Sequence, residues 1–137
     1  MHTTGLFSPE NETEAVETYE SLGPAAQTVV KETAKAMAFD AEEYDERVTG
    51  DVIETARDAL FASLLSVRVG SAEEFDAWRE GFGGEVEVRG SEHVDNVVWH
   101  VGPGERAVAA TFQSKERAAV GTLRRQAFGT IYREIVG

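Results

Sequence analysis

The hydrophobic pattern changes period once, near Leu65, and that change limits what the chain can become. Upstream of it, apolar residues recur at three- and four-residue intervals, the spacing of helices that bury one face. Downstream, short runs near 65–69, 85–89, 94–101 and 106–112 alternate apolar and polar, the spacing of strands. Helices first and strands after predict an α+β fold rather than repeated βαβ layers. The last three runs are close together with short connections, which predicts an antiparallel meander, so the sheet is expected to be small and largely antiparallel. A helix over about 115–135 follows and is expected to cover it. The 137 residues contain no repeat and no linker long enough to divide them, so the expectation is a single domain over 1–137, with a helical half (1–64) and a mixed half (65–137).

Capping chemistry marks the helix starts. Ser8-Pro9, or Asn11 with Glu14 slightly later, opens the first helix, with Val16, Tyr19 and Leu22 as its apolar stripe. Gly23-Pro24 ends that helix and begins a second, with a stripe of Ala26, Val29, Val30, Thr33 and Met37. Asp40 with Glu43 caps a short acidic turn. Thr49 caps a fourth helix, with Val52, Ile53, Ala56, Leu60 and Leu64 expected to be buried. Ser71-Ala72-Glu73-Glu74 forms a capping box ahead of Phe75 and Trp78, and Ser114 is expected to cap the long C-terminal helix.

On that last helix, 100° per residue from Lys115 puts Leu123, Ala127, Val120 and Ile131 on one apolar arc, and Arg124 at about 180° falls inside it. A guanidinium there needs a partner, because an unpaired buried charge is prohibitively costly. One reading is structural: an ion pair with a Glu of the first half, or a stem along the core with its head in water. The other is an anion site built from Arg117, Arg124 and Arg125, since Arg forks match carboxylate and phosphate. Gly121 and Gly129, with Ala118 and Ala119, would allow another backbone to approach this helix closely, from the chain's own sheet or from a second subunit.

Composition bears on environment more than on chemistry. There are 25 acids against 13 bases, a net charge of −12, with 10 Arg but only 3 Lys, and the bulk of the aliphatic side chains are Ala and Val. A carboxylate-rich surface stays hydrated in concentrated salt, whereas in low salt its charges repel one another and oppose the compact state. The composition therefore favours a protein of a salt-accumulating halophile, a haloarchaeon, over the alternative of an ordinary acidic cytosolic protein. The charge is uneven, −15 over residues 1–104 and +3 over 105–137, which marks either internal pairing of a basic helix with acidic neighbours or a binding surface. At molar salt the Debye length is about 3 Å, so −12 does not exclude a nucleic-acid partner.

The residue types exclude several chemistries. No Cys is present, so a disulfide scaffold, a Cys-ligated metal and a Cys nucleophile are ruled out. Of the three His, His2 is expected in a mobile terminus. His93 and Asp95 share strand parity with Trp99, while His100 has the opposite parity, so the two His cannot share a metal. No metal or cofactor is expected. His93, Asp95 and His100 remain the weak candidates for acid–base chemistry, and each would need a cleft. Trp78 and Trp99 serve as core anchors or mark a ligand surface. The Gly-rich segments 81–84 and 102–104 lack the strand–GxGxxG–helix context and read as turns. No 18-residue apolar window and no basic leader occurs, so the chain is expected in the cytoplasm, without a membrane span.

The segments Ala59-Leu60-Phe61-Ala62-Ser63-Leu64-Leu65, Phe75-Asp76-Ala77-Trp78, Val98-Trp99-His100 and Leu123-Arg124-Arg125-Gln126-Ala127-Phe128-Gly129 resemble a family of small haloarchaeal proteins with no assigned activity. The resemblance covers roughly residues 55–137. It agrees with salt adaptation and supplies no catalytic residues. Three functions compete. The first is a non-enzymatic interaction or adaptor module with a protein partner or a second copy of itself, which the sequence favours over an enzyme. The second is an anion or nucleic-acid binder through the Arg-rich helix. The third is a small enzyme using His93, Asp95 or His100.

Overall fold

The computed structural model describes residues 1–91 and 93–137. Four helices precede the main sheet: α1 (Glu12–Ser21), α2 (Gly23–Ala36), α3 (Ala41–Arg47) and α4 (Gly50–Leu64). The local signals hold at each start. Asn11 accepts from the Glu14 N–H at 2.8 Å, Asp40 from Glu43 at 2.9 Å and Thr49 from Val52 at 3.4 Å. Ser8-Pro9 is not the helix start; the Ser8 hydroxyl donates to the Val101 carbonyl instead.

Four strands follow or flank α5 (Ala72–Gly81): β2 (Val67–Ser71), β3 (Glu85–Arg89), β4 (Asn96–Gly102) and β5 (Arg106–Phe112). A fifth, β1 (His2–Thr4), lies at the N-terminus and pairs antiparallel with β2. The expected mobile terminus is therefore an edge strand, and the His2 Nε2 is hydrogen-bonded to the Glu116 carboxylate at 3.2 Å. β2 begins two residues later than expected, at Val67. Leu65 instead bridges Phe7, and the Leu64 carbonyl accepts from the Leu6 and Phe7 amides. The reversal sits at Gly5, whose φ of +104° and position 2.5 Å from the Leu65 carbonyl (measured to an ideal Cβ) admit only glycine.

The sheet order is β1-β2-β4-β5-β3. β2 pairs with β4 and β4 with β5 antiparallel, but β3 pairs with β5 in parallel. The expected meander of β3, β4 and β5 is corrected on this point. Val97, Val98, Trp99 and His100 of β4 are all buried, as are Ala107, Val108 and Ala109 of β5. Such runs suit strands covered on both faces. β3 carries Glu85, Glu87 and Arg89 on one face and suits an edge.

Parity assigns the two faces of the sheet. Val67, Val69, Val98 and Val108 face the larger core, where Phe61 of α4 makes edge-on contacts with Phe7, Tyr19, Phe128 and Tyr132 at ring separations of 5.1 to 6.0 Å. Val97, Trp99 and Ala109 face α5, against Phe75. Phe61, outside the expected stripe of α4, is the hub of the core. On α2 the buried positions are Ala26, Val30 and Ala34, whereas Val29 (46% exposed) and Met37 (59%) face solvent. The difference is that α2 packs chiefly against α4, through a single row at i, i+4, i+8.

The expected C-terminal helix consists of α6 (Glu116–Ala127), a π-helical turn at Phe128–Tyr132 and α7 (Arg133–Val136). Its cap is also corrected: Lys115, not Ser114, holds the N-cap position, without a side-chain cap bond. Val120, Leu123, Ala127 and Ile131 are buried as the periodicity requires. On a regular wheel Tyr132 would leave the apolar arc. The π turn winds more slowly and brings it back, fully buried. Gly121 and Gly129 have open space where a Cβ would stand, so no part of the chain's own sheet approaches them closely.

Candidate functional site

His100 is the one buried polar or charged residue among those described, at 0% exposure. β4 aims it into the larger core, where both ring nitrogens are bonded at 2.6 Å, Nδ1 to the Ser66 carbonyl and Nε2 to the Tyr132 hydroxyl. A carbonyl can only accept, so Nδ1 carries the proton, Nε2 accepts and the tyrosine donates. Burial pushes the His100 pKa down to about 4. The nearby Arg124 and Arg68 charges act in the same direction, and the Ser66 carbonyl opposes them. Burial also raises the Tyr132 hydroxyl well above its ordinary value. The couple is a neutral hydrogen-bonded strut between β4, the start of β2 and the π turn.

His93 and Asp95 stand elsewhere. Both are exposed ahead of β4, and the Asp95 backbone carbonyl receives the Ala72 N–H at the start of α5. Asp95 lies five residues from His100 along the chain, about 16 Å at the rise of a strand. The structure does not bring the three together. Trp99 is fully buried on the α5 face, beside Phe75 and Trp78, and its indole N–H has no hydrogen-bond partner. Among the described residues no group of three or more His, Asp or Glu is placed to hold a metal ion.

The three arginines of α6 separate. Arg124 is half-buried and its Nε donates to the Leu65 carbonyl at 2.9 Å, so its partner is a backbone carbonyl at the α4–β2 junction and not a Glu of the first half. Arg117 is exposed. Arg125 is exposed and reaches the Thr122 hydroxyl at 3.5 Å.

Thr122 leads to a surface that sequence reading did not reveal. Beside α6, above the ends of β5 and β3, runs an open trough of about 610 Å³. Its apolar lining is Ala110, Phe112, Ala118 and Ala119; its polar lining includes Arg89, Thr111, Ser114, Lys115, Thr122 and Gln126. None of the twelve lining residues is acidic, although an even spread of 25 acids over 137 positions would place about two there. Lys115 and Arg89 supply positive charge, Arg125 stands at the rim through Thr122, and Glu87 at 3.3 Å neutralises part of Arg89. The buried Gln126 Oε1 lacks a hydrogen-bond partner. On the wheel these α6 positions surround Lys115, opposite Arg124. Sequence reading missed the trough because only the parallel β3–β5 pairing carries Arg89 to it.

Fold and surface together define an α+β protein with an open five-stranded sheet, a sealed histidine–tyrosine strut and a cationic trough on an acidic body. Residues 6–133 match the model of a family of unknown function, DUF5809, and the chain belongs to that family. No curated protein and no solved structure matches it.

Proposed function

We propose that the chain is a non-enzymatic interaction module, an adaptor whose trough receives an acidic segment of a partner protein. The observation that carries this reading is the acid-free lining of the trough in a chain so rich in carboxylates. Lys115, Arg89 and Arg125 would meet the partner's carboxylates, and the Gln126 Oε1 would take a backbone N–H that the partner brings. An extended segment suits a long open trough over a sheet end. No helix of the described residues is long and apolar enough to cross a membrane. The composition supports a salt-adapted, cytoplasmic protein of a haloarchaeon, in which local contacts rather than net charge govern binding.

The test is fluorescence anisotropy of labelled glutamate-rich peptides in concentrated KCl, with a short RNA and inorganic phosphate as parallel ligands. Peptide binding that Lys115→Glu and Arg125→Glu each weaken by about fivefold or more supports the reading. Peptide binding that both variants leave intact, or preferential binding of RNA, overturns it.

A further inference from the structure

The outer edge of β3 carries the pattern of a strand that pairs with its own copy. β3 is terminal in the sheet, and the Glu85 N–H donates inward to the Glu105 carbonyl at 2.9 Å. Backbone groups alternate sides along a strand. Those of Glu85, Glu87 and Arg89 therefore face β5, and those of Val86 and Val88 face outward. Edge strands are usually blunted by charge, Pro or a bulge; β3 has no Lys or Pro, its charges are of both signs on one face, and Val88 on the other face is 42% exposed.

We propose that two copies of the chain join their β3 edges antiparallel about a two-fold axis through Val88. In that register each Val88 opposes the partner's Val88 as a hydrogen-bonded pair, exchanging both outward backbone bonds. Each Glu87 opposes the partner's Arg89 on the same face, giving two reciprocal charge pairs. Centring the axis on Glu87 would instead set Glu87 against its own copy, a like-charge contact. The self-complementary order Glu-Val-Arg is what favours a second copy over an unrelated strand. The two-fold axis stands perpendicular to the sheet, so both α6 helices lie on the same side of a ten-stranded sheet. Three strand spacings, about 14 Å, separate β5 from the partner's β5. The partner thus supplies a second wall to the trough, which is open in the single chain. The pairing itself does not depend on what the trough binds.

The chain has no native cysteine, so introduced thiols report the register directly. Opposed residues of a hydrogen-bonded pair have Cα atoms about 5.5 Å apart, within disulfide range. Under mild oxidation in concentrated KCl, Val88→Cys should give a covalent dimer. Val52→Cys, at a matched 41% exposure on α4, should remain largely monomeric. So should Val86→Cys, whose copies lie four residues out of register, roughly 13 Å apart. Equal crosslinking of Val88→Cys and Val52→Cys, or faster crosslinking of Val86→Cys, overturns the proposal. Sedimentation of the unaltered chain should show a concentration-dependent dimer that Val88→Pro abolishes, since proline removes an outward N–H and spares the β5 ladder. A strictly monomeric unaltered chain also overturns it. Lys115→Glu, which tests the trough, should leave the crosslink unchanged, so the two readings can fail separately.

Discussion

The His100–Tyr132 strut makes stability fall in mild acid, and the size of the fall follows from burial. The folded pKa is about 4, while an unfolded histidine titrates near 6.5. Between those values the unfolded chain holds a proton that the folded chain does not, so stability rises with pH across this window. The contribution is fully present above about pH 6.5 and lost as pH falls towards 4. The separation of about 2.5 pH units corresponds to about 3 kcal/mol, a large part of the 5–15 kcal/mol typical of a domain. Urea unfolding at fixed high KCl, from pH 7 down to pH 5, measures the slope above the range where most carboxylates titrate. The unaltered chain should approach about 1.4 kcal/mol per pH unit near pH 5.3, over and above a His100→Asn variant. That variant keeps a donor for the Ser66 carbonyl and has no titrating ring. Parallel curves for the two proteins would show that His100 is not buried neutral, and the reasoning would fail.

Three other outcomes follow from the same contacts. Tyr132→Phe removes the donor to His100 Nε2 and should cost about 1–3 kcal/mol in the same urea assay while leaving far-ultraviolet circular dichroism unchanged; a cost below a few tenths would contradict the bond. Arg124→Met keeps much of the stem but leaves the Leu65 carbonyl without its partner, for a loss of about 1–3 kcal/mol, and proteolysis should then open the Gly5–Phe7 segment first; unaltered cleavage would refute its role at that junction. Removing KCl stepwise should unfold the chain as its −12 charge loses screening, so full helicity in dilute buffer would refute salt adaptation.

Local signals were legible and neighbour relations were not. Asn11, Asp40, Thr49 and Ser71 cap where they were expected because a cap needs only the next three residues. Alternation placed β3 and β5 to the residue, yet it reports which face a side chain takes and not which strand lies alongside. That is why the parallel β3–β5 pairing could not be seen. β1 was hidden because His2-Thr3-Thr4 has no apolar alternation and is a strand only through its pairing with β2. Tyr132 was hidden by the π turn, which breaks the fixed angle on which a helical wheel depends. Strand parity does not apply to His93, which lies in a turn ahead of β4. The strut was not legible, since it joins residues 66, 100 and 132, and the trough likewise draws on β3, β5 and α6.

The charge imbalance between the two parts of the chain takes a different meaning from these contacts. Internal pairing of the basic C-terminal segment with the acidic half was one expected cause. Yet Arg106 donates to the Thr130 carbonyl at 2.8 Å, Arg124 donates to the Leu65 carbonyl, and Arg133 lies over the Phe128 ring. The ion pairs among the described residues are the N-terminal amine with Glu74, Lys35–Glu32 and Arg89–Glu87, all of them exposed, beside the exposed His2–Glu116 hydrogen bond. Exposed pairs contribute little in water and less as salt screens them. A guanidinium donating to a partly buried carbonyl depends on short-range geometry and on the absence of competing water, neither of which an ionic atmosphere reaches. Two of the six bases after residue 104, Arg106 and Arg124, are therefore held by contacts that concentrated salt does not dissolve. The other four, Lys115, Arg117, Arg125 and Arg133, are exposed, and two of them, Lys115 and Arg125, belong to the trough or its rim. On the proposed reading, the exposed part of this positive excess is what would meet a partner, and the far larger negative excess elsewhere would serve hydration.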